Sequence, residues 1–340
     1  MIKIYKMMFL SMVFLSTLIA ISSYSWLTMW MGLEMNLLAI IPLMQEKGNI
    51  LSSESAIKYF ITQAIASSVI MMTIILMMWK TSLSMTAQSN LSLTMIMNSS
   101  LTMKMGMAPF HFWFPEVLEG LNWYNCMLLM TWQKIAPMIL FMYNMKFPLM
   151  ITAIVIASMV VSGIMGLNQI SMRKIMAYSS INHMGWMMVT MMLMQTIWMT
   201  YFLIYAMMTI NISVMMNKNK IFFLNQLYSM LNNSPMMKMF FMLNFLSLSG
   251  IPPFIGFMPK WMTIQIMIEN NMLVLAFIMI MFTLIMIFIY MRIAISSLLF
   301  KINENNWMNL SFKNKNSSTS LLNFFMISSL IIVTMMFNLT

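Results

Sequence analysis

Charge is what this sequence lacks most. Only 7% of its 340 residues are charged, against about 25% in an ordinary soluble domain. A water-soluble globule of this length could not cover its surface with so few. Aspartate is absent, and all seven acids are glutamates. The single cysteine, Cys126, excludes an internal disulfide and any zinc or iron–sulfur site built from cysteines. Histidine occurs twice, at His111 and His183. There is no G-x-G-x-x-G following a strand, no P-loop and no haem or cluster ligand set, so the chain is expected to carry no electrons. What is abundant is apolar: 61% of the residues are hydrophobic and 56 are methionine. That much apolar material excludes a disordered chain. An integral membrane protein, embedded over most of its length, remains.

Apolar stretches of roughly membrane-spanning length recur throughout. They fall at about 4–24, 26–45, 57–79, 91–113, 122–143, 147–168, 175–194, 197–216, 237–258, 272–298 and 321–339. The expected fold class is therefore all-α, a polytopic bundle of about eleven transmembrane helices forming one integral membrane domain over residues 1–340. The runs are too long and continuous for the alternating strands of a barrel. The first run follows Lys3 and Lys6 like a signal peptide, but a second begins at Trp26 after a short break, so the first reads as a retained span. Residues 217–236 place Ile221, Leu224, Leu227, Tyr228 and Leu231 at helical spacing, an amphipathic connection on the membrane surface. Residues 301–320 are rich in Asn, Ser and Lys and read as a polar loop.

The net charge of +11 reflects lysines gathered in loops on one side rather than nucleic-acid binding. The N-terminal side receives Lys3, Lys6, Lys47, Arg173, Lys174, Lys218, Lys220, Lys238, Lys301, Lys313 and Lys315, the opposite side only Lys80 and Lys146. The bias places the N-terminal side in the cytoplasm or its mitochondrial counterpart, the matrix. Lys58 and Arg292 lie near span ends, where long side chains snorkel. Glu116 and Glu119 are expected in a solvated loop.

Glu34, Lys104 and Lys134 fall near the middle of their spans, and Lys260 follows an interrupted one. A central charge costs about 2.5–3.5 kcal/mol even on the gentler insertion scale, so pairing or water must offset it. Gly250, Pro252 and Pro253 precede Lys260, and Gly106, Pro109 and Pro115 follow Lys104; neither stretch can continue a regular helix. Two interrupted spans, each with a lysine at the break, suit proton handling. Burial penalises the charged form of a lysine, and a neighbouring carboxylate favours it. His111, seven residues after Lys104, is expected two turns along the same helix face. His183 has Ser179 and Ser180 one turn before it, and is a second group that titrates in a useful range. Each charge also has a plainer use, as a contact to a neighbouring helix or headgroup, and each histidine as a packing residue.

The stretches WMGLEMNLLAIIPL, KYFITQAIAS, KMGMAPFHFWFPEVLEGLNW, MTWQKIAPM, GLNQISMRKIMAYSSINHMGWMM and LSLSGIPPFIGFMPKW closely resemble the NADH–ubiquinone oxidoreductase chain 2 family of animal mitochondria. The short, Met-rich form looks like an arthropod version. The likeness is strongest over about 26–262.

The resemblance implies a subunit of the membrane arm of respiratory complex I, similar to cation/proton antiporters, with two broken helices and three N-terminal helices missing. It implies proton transfer through Glu34, Lys104, Lys134 and Lys260, with His111 and His183 as connecting groups; Glu34 is the weaker assignment. It places NADH, FMN, iron–sulfur clusters and ubiquinone on other subunits. The implied partners are neighbouring antiporter-like chains, small membrane subunits and lipids such as cardiolipin, in the mitochondrial inner membrane. The alternatives are a free-standing cation/proton antiporter and a non-pumping scaffold subunit.

Overall fold

The computed structural model describes residues 4–46, 48–83, 91–231, 235–252 and 254–299. The expected polar loop at 301–320 and the span at 321–339 lie outside the described residues. Fourteen helices are described and no strand. The long ones are α1 (Ile4–Ser22), α2 (Trp26–Met44), α3 (Ile50–Leu83), α8 (Pro148–Gly166), α9 (Met172–Leu193), α10 (Gln195–Asn219) and α14 (Leu273–Leu299). Among the described residues, six helices are long and apolar enough to cross a membrane: all of these except α9. α9 is 22 residues long but almost wholly buried, so it has no need of an apolar exterior.

The remaining crossings are made in pieces. α4 (Leu91–Met105) is followed by a non-helical stretch and then α5 (Trp113–Gly120); α6 (Trp123–Met130) meets α7 (Trp132–Met142) at Thr131; α12 (Pro235–Ser249) is followed by α13 (Phe257–Glu269). α11 (Leu224–Leu231) lies between α10 and α12. Three spacings in the sequence thus come out differently. The run 91–113 is a helix only to Met105, because Gly106 turns left-handed at φ +73. The run 122–143 is broken at Thr131, whose φ −113 and ψ −74 leave the helical ladder. Glu116 and Glu119 sit on α5, not in a loop.

One end of the bundle gathers the charged groups. Lys58 bonds Glu54 at 3.0 Å and Glu116 at 2.9 Å, and Lys174 bonds Glu119 at 2.7 Å. Arg173 donates to the Leu121 carbonyl at 2.8 Å, and Asn122 donates to the Glu46 carboxylate. These contacts fasten α5 to the starts of α3 and α9. The half-exposed pairs add little stability each; they fix where the segment after Lys104 sits. The segment leading into α11 is bonded to the start of α9 through Met172 N–H to Phe222 (2.9 Å) and Leu224 N–H to Ile170 (3.2 Å). Ile221, Leu224 and Leu227 are buried beneath it.

The apolar core is two bodies rather than one. One contains Leu43, Phe114, Ile181, Ile212 and Phe245. The other contains Leu33, Leu101, Phe141, Met184, Tyr205 and Met267. α2, α9 and α10 each pass from one body to the other along their length. Methionine fills both bodies as well as the outer face, since a flexible thioether fits irregular gaps.

Close backbone approach, not dihedral freedom, fixes Gly256. Its φ of −64 is helical, yet a Cβ there would overlap the Ser247 carbonyl across the break. Gly163 is the contrast, with room for a Cβ 3.5 Å from Phe282. Gly256→Ala should destabilise the chain by about 1–3 kcal/mol, seen as a lower melting temperature, while Gly163→Ala melts as the parent does.

A candidate proton path through three broken helices

A helix that stops at membrane depth leaves carbonyls without donors, and lipid supplies none. Each break here answers that demand with side chains. Where α4 ends, Trp113 Nε1 donates to Met103 at 3.1 Å, and Gln63 Nε2 from α3 donates to the Lys104 carbonyl at 3.3 Å. The Met107 N–H closes back on Thr102 at 3.1 Å. Where α12 ends, the Lys260 ammonium itself, returning on α13, donates to the Ser249 carbonyl at 2.8 Å. Gly250, at φ +73, turns the chain there, and a Cβ on it would lie 3.0 Å from the Lys260 nitrogen.

The central charges are placed as follows. Lys104, Lys134 and Lys260 are 7%, 2% and 7% exposed, so none faces lipid. Glu34, midway along α2, is half-buried and lines an outer groove with Trp30, Ser67 and Ser68. It lies within electrostatic reach of Lys104. Lys104 in turn borders a small cavity with Tyr59, Gln63, Asn36 and Gln133. Lys134 follows Gln133 on α7, beyond the Thr131 break. Among the described residues its ammonium has no hydrogen-bond partner; it sits over the Phe114 ring at 4.9 Å and the Tyr205 ring at 5.7 Å. Ring faces attract a cation without taking its proton.

His183 continues the line. Its ring centroid is 5.1 Å from that of Tyr205, and Nδ1 is 3.0 Å from the Tyr201 hydroxyl. Both Lys134 and Lys260 act on it electrostatically. Ser179 and Ser180 bond the carbonyls of Met176 and Ala177 on their own helix, each at 2.7 Å. The order is then Glu34, Lys104, the cavity, Lys134, Tyr205, His183, Lys260.

His111 does not join it in the expected way. α4 ends at Met105, so His111 lies across the break rather than two turns along one face. Its Nδ1 is 3.3 Å from the Pro109 carbonyl and its ring packs on Phe112 at 4.3 Å, contacts local to the loop.

Sequence reading misses Asn36, Gln63, Gln133, Tyr201 and Tyr205. A buried amide on a transmembrane helix is itself a signal, because such a group must find a partner. Pro137 is another: without an N–H, it leaves the Gln133 carbonyl lacking its helical donor.

Residues 23–287 match the family described as NADH:quinone oxidoreductase/Mrp antiporter, TM. Over 338 residues the chain is 45% identical to NADH-ubiquinone oxidoreductase chain 2 of Anopheles gambiae, and 48% to that of Aedes aegypti, covering 98% of both partners each time. The chain belongs to the NADH-ubiquinone oxidoreductase chain 2 family. Its fold is the antiporter-like one. The TM-score is 0.85 with a chain of respiratory complex I from Thermus thermophilus, at 19% identity over 98% of this chain and 79% of that one. A chain of the Mrp complex from a Dietzia species gives 0.71 at 14% identity, over 83% and 58%. At those identities the likeness is one of fold. As a family member this chain is a multi-pass membrane protein.

The Gln63 bond gives a direct check. Gln63→Leu keeps the size but leaves the Lys104 carbonyl without a donor, at a cost of about 1–3 kcal/mol. The assembled protein should melt at lower temperature than the parent.

Proposed function

We propose that this chain is a core membrane-arm subunit of respiratory complex I, an antiporter-like module that moves protons during NADH:ubiquinone reduction. The observation that carries the reading is the line of ionisable groups from half-buried Glu34 through buried Lys104 and Lys134 to Lys260, in a chain 45% identical to a chain 2 relative over 98% of its length. The redox chemistry belongs elsewhere in the assembly, with NADH, FMN, iron–sulfur clusters and ubiquinone on other subunits. One cysteine cannot ligate a cluster of its own. The chain sits in the mitochondrial inner membrane with its N-terminus in the matrix, a reading supported by the loop lysines. Neighbouring antiporter-like chains, small membrane subunits and lipids such as cardiolipin surround it.

The mechanism follows from the environments. Lys104 holds its proton while the Glu34 carboxylate is near and charged. A change arriving from outside the chain, either a movement of Glu34 or its protonation, removes that support. The proton then leaves the Lys104 nitrogen toward Lys134, whose aromatic surroundings offer a weaker hold than a carboxylate would. Transfer onward passes Tyr205 and His183 to Lys260. Repulsion between adjacent cations favours one excess proton at a time.

The Mrp likeness keeps a second reading in view, a free-standing cation/proton antiporter. Co-purification separates the two: the complex I reading expects the chain with the other membrane subunits, and an isolated active chain favours the antiporter. Lys104→Met or Lys260→Met, in assembled complex I reconstituted in vesicles, should lower the protons moved per electron or the coupled quinone reductase rate. Normal pumping by both variants would favour a scaffold role instead.

A further inference from the structure

The step from Lys104 to Lys134 has a structural obstacle. Asn36 on α2 and Gln133 on α7 bond each other reciprocally: Asn36 Nδ2 donates to Gln133 Oε1 at 2.7 Å, and Gln133 Nε2 donates to Asn36 Oδ1 at 3.1 Å. Both residues are buried. Each amide therefore spends a donor and an acceptor on the other, and a neutral amide neither gives up nor takes a proton near neutral pH. Beside the pair lies the small cavity, about 10 Å³ in volume, with Lys104, Tyr59, Gln63, Asn36, Gln133 and Pro137 in its wall. That is about the space one water needs, and a buried water needs two to four polar partners. The ammonium, the amides and the Gln133 carbonyl that Pro137 deprives of a donor can supply them. Gln133 and Lys134 are adjacent on one helix, so their side chains point about 100° apart. Gln133 lines the cavity and Lys134 does not, so on the α7 side the Gln133 residue is the wall of the cavity next to Lys134.

We propose that the Asn36–Gln133 amide pair is the gate between Lys104 and Lys134, and that the cavity beside it binds the single water that carries the proton when the pair parts. This rests on the proton-translocating reading above. With the pair closed, Gln133 is held against Asn36 as part of the cavity wall, and the water has no route to Lys134. When Gln133 rotates, its oxygen is freed and the water can align toward Lys134. The N–H bond at Lys104 breaks as an O–H bond forms on the water. The water releases one of its own protons to the unprotonated Lys134 amine, and no electrons change hands. The Thr131 break lets this happen locally, because Gln133 stands in the first turn of α7, where the Lys134 N–H reaches only Thr131 at 3.3 Å.

The test uses assembled complex I in vesicles. It reads passive proton conductance under an imposed pH gradient without NADH, and protons moved per electron with NADH. Gln133→Ala should raise the passive conductance about thirtyfold, the rate effect of two lost neutral hydrogen bonds, and lower the ratio. Gln133→Asn, one methylene shorter, breaks the contact while keeping an amide, and serves where the alanine variant fails to assemble. The exchanged double variant, Asn36→Gln with Gln133→Asn, restores the summed length and should return the conductance toward the parent. A structural role alone would not move a leak and then reverse it. Parent-like conductance in the single variants, or an exchanged variant as leaky as they are, overturns the gate. Lys104→Met measured beside them keeps the two ideas apart. If it pumps normally the proton-translocating reading falls and the gate with it; if it fails to pump while the Gln133 variants behave as the parent, only the gate falls.

Discussion

A backbone carbonyl in the hydrocarbon region must have a donor, and the architecture follows from how this chain meets that demand. A continuous helix satisfies itself but encloses no polar space. Interrupting it frees carbonyls and, with them, a requirement for donors at mid-depth. At the second Gly/Pro break the donor is a central lysine itself, Lys260 on Ser249. At the first, Gln63 and Trp113 take that part and leave the Lys104 ammonium free to face the cavity. The breaks are therefore not tolerated defects. They place Lys104, Lys134 and Lys260 beside chain turns in the interior of the bundle, where none faces lipid.

The division of the apolar core has the same origin. On α9 the first body reaches Ile181 and the second begins at Met184, with His183 between them. On α2, Asn36 falls between Leu33 of one body and Ala39 of the other; across the α6–α7 break, Gln133 and Lys134 fall between Met130 and Ala136. The polar band is thus sandwiched between two dry layers, which keep it from opening to either side at rest. Polar groups in such a layer interact more strongly than in water and are costlier to leave unpaired. That accounts for the reciprocal amide pair, which satisfies four hydrogen-bonding positions with two side chains.

Much of this is legible in the amino-acid sequence, and the remainder is illegible for a physical reason. The all-α class and the two breaks at Gly106 and Gly250 follow from local chemistry: hydropathy and residues that cannot continue a helix. So does the centrality of Glu34. The third break is harder, because Thr131 is no helix breaker; only Pro137, six residues on, hints at trouble. His111 shows the opposite failure, a helical spacing carried across a glycine that had already ended the helix. The pairings themselves, Asn36 with Gln133 and Lys134 with two rings, join residues 97, 20 and 71 positions apart, since Phe114 and Tyr205 lie on α5 and α10. No pattern within one helix encodes them.

The three lysines differ in what holds their charge, and the differences run in one direction. Lys104 has a carboxylate within electrostatic reach, Lys134 only ring faces, and Lys260 a carbonyl dipole. A full negative charge is the strongest of these and the only one that an outside event can move or neutralise. Ring quadrupoles and a fixed carbonyl cannot be switched off. On the proposed proton-translocating reading, control therefore enters at the Glu34 end, and the middle position is the one most readily emptied. Had Lys134 been given a carboxylate partner as well, the ion pair would hold its proton regardless of what happened at Glu34, and the line would store charge rather than pass it.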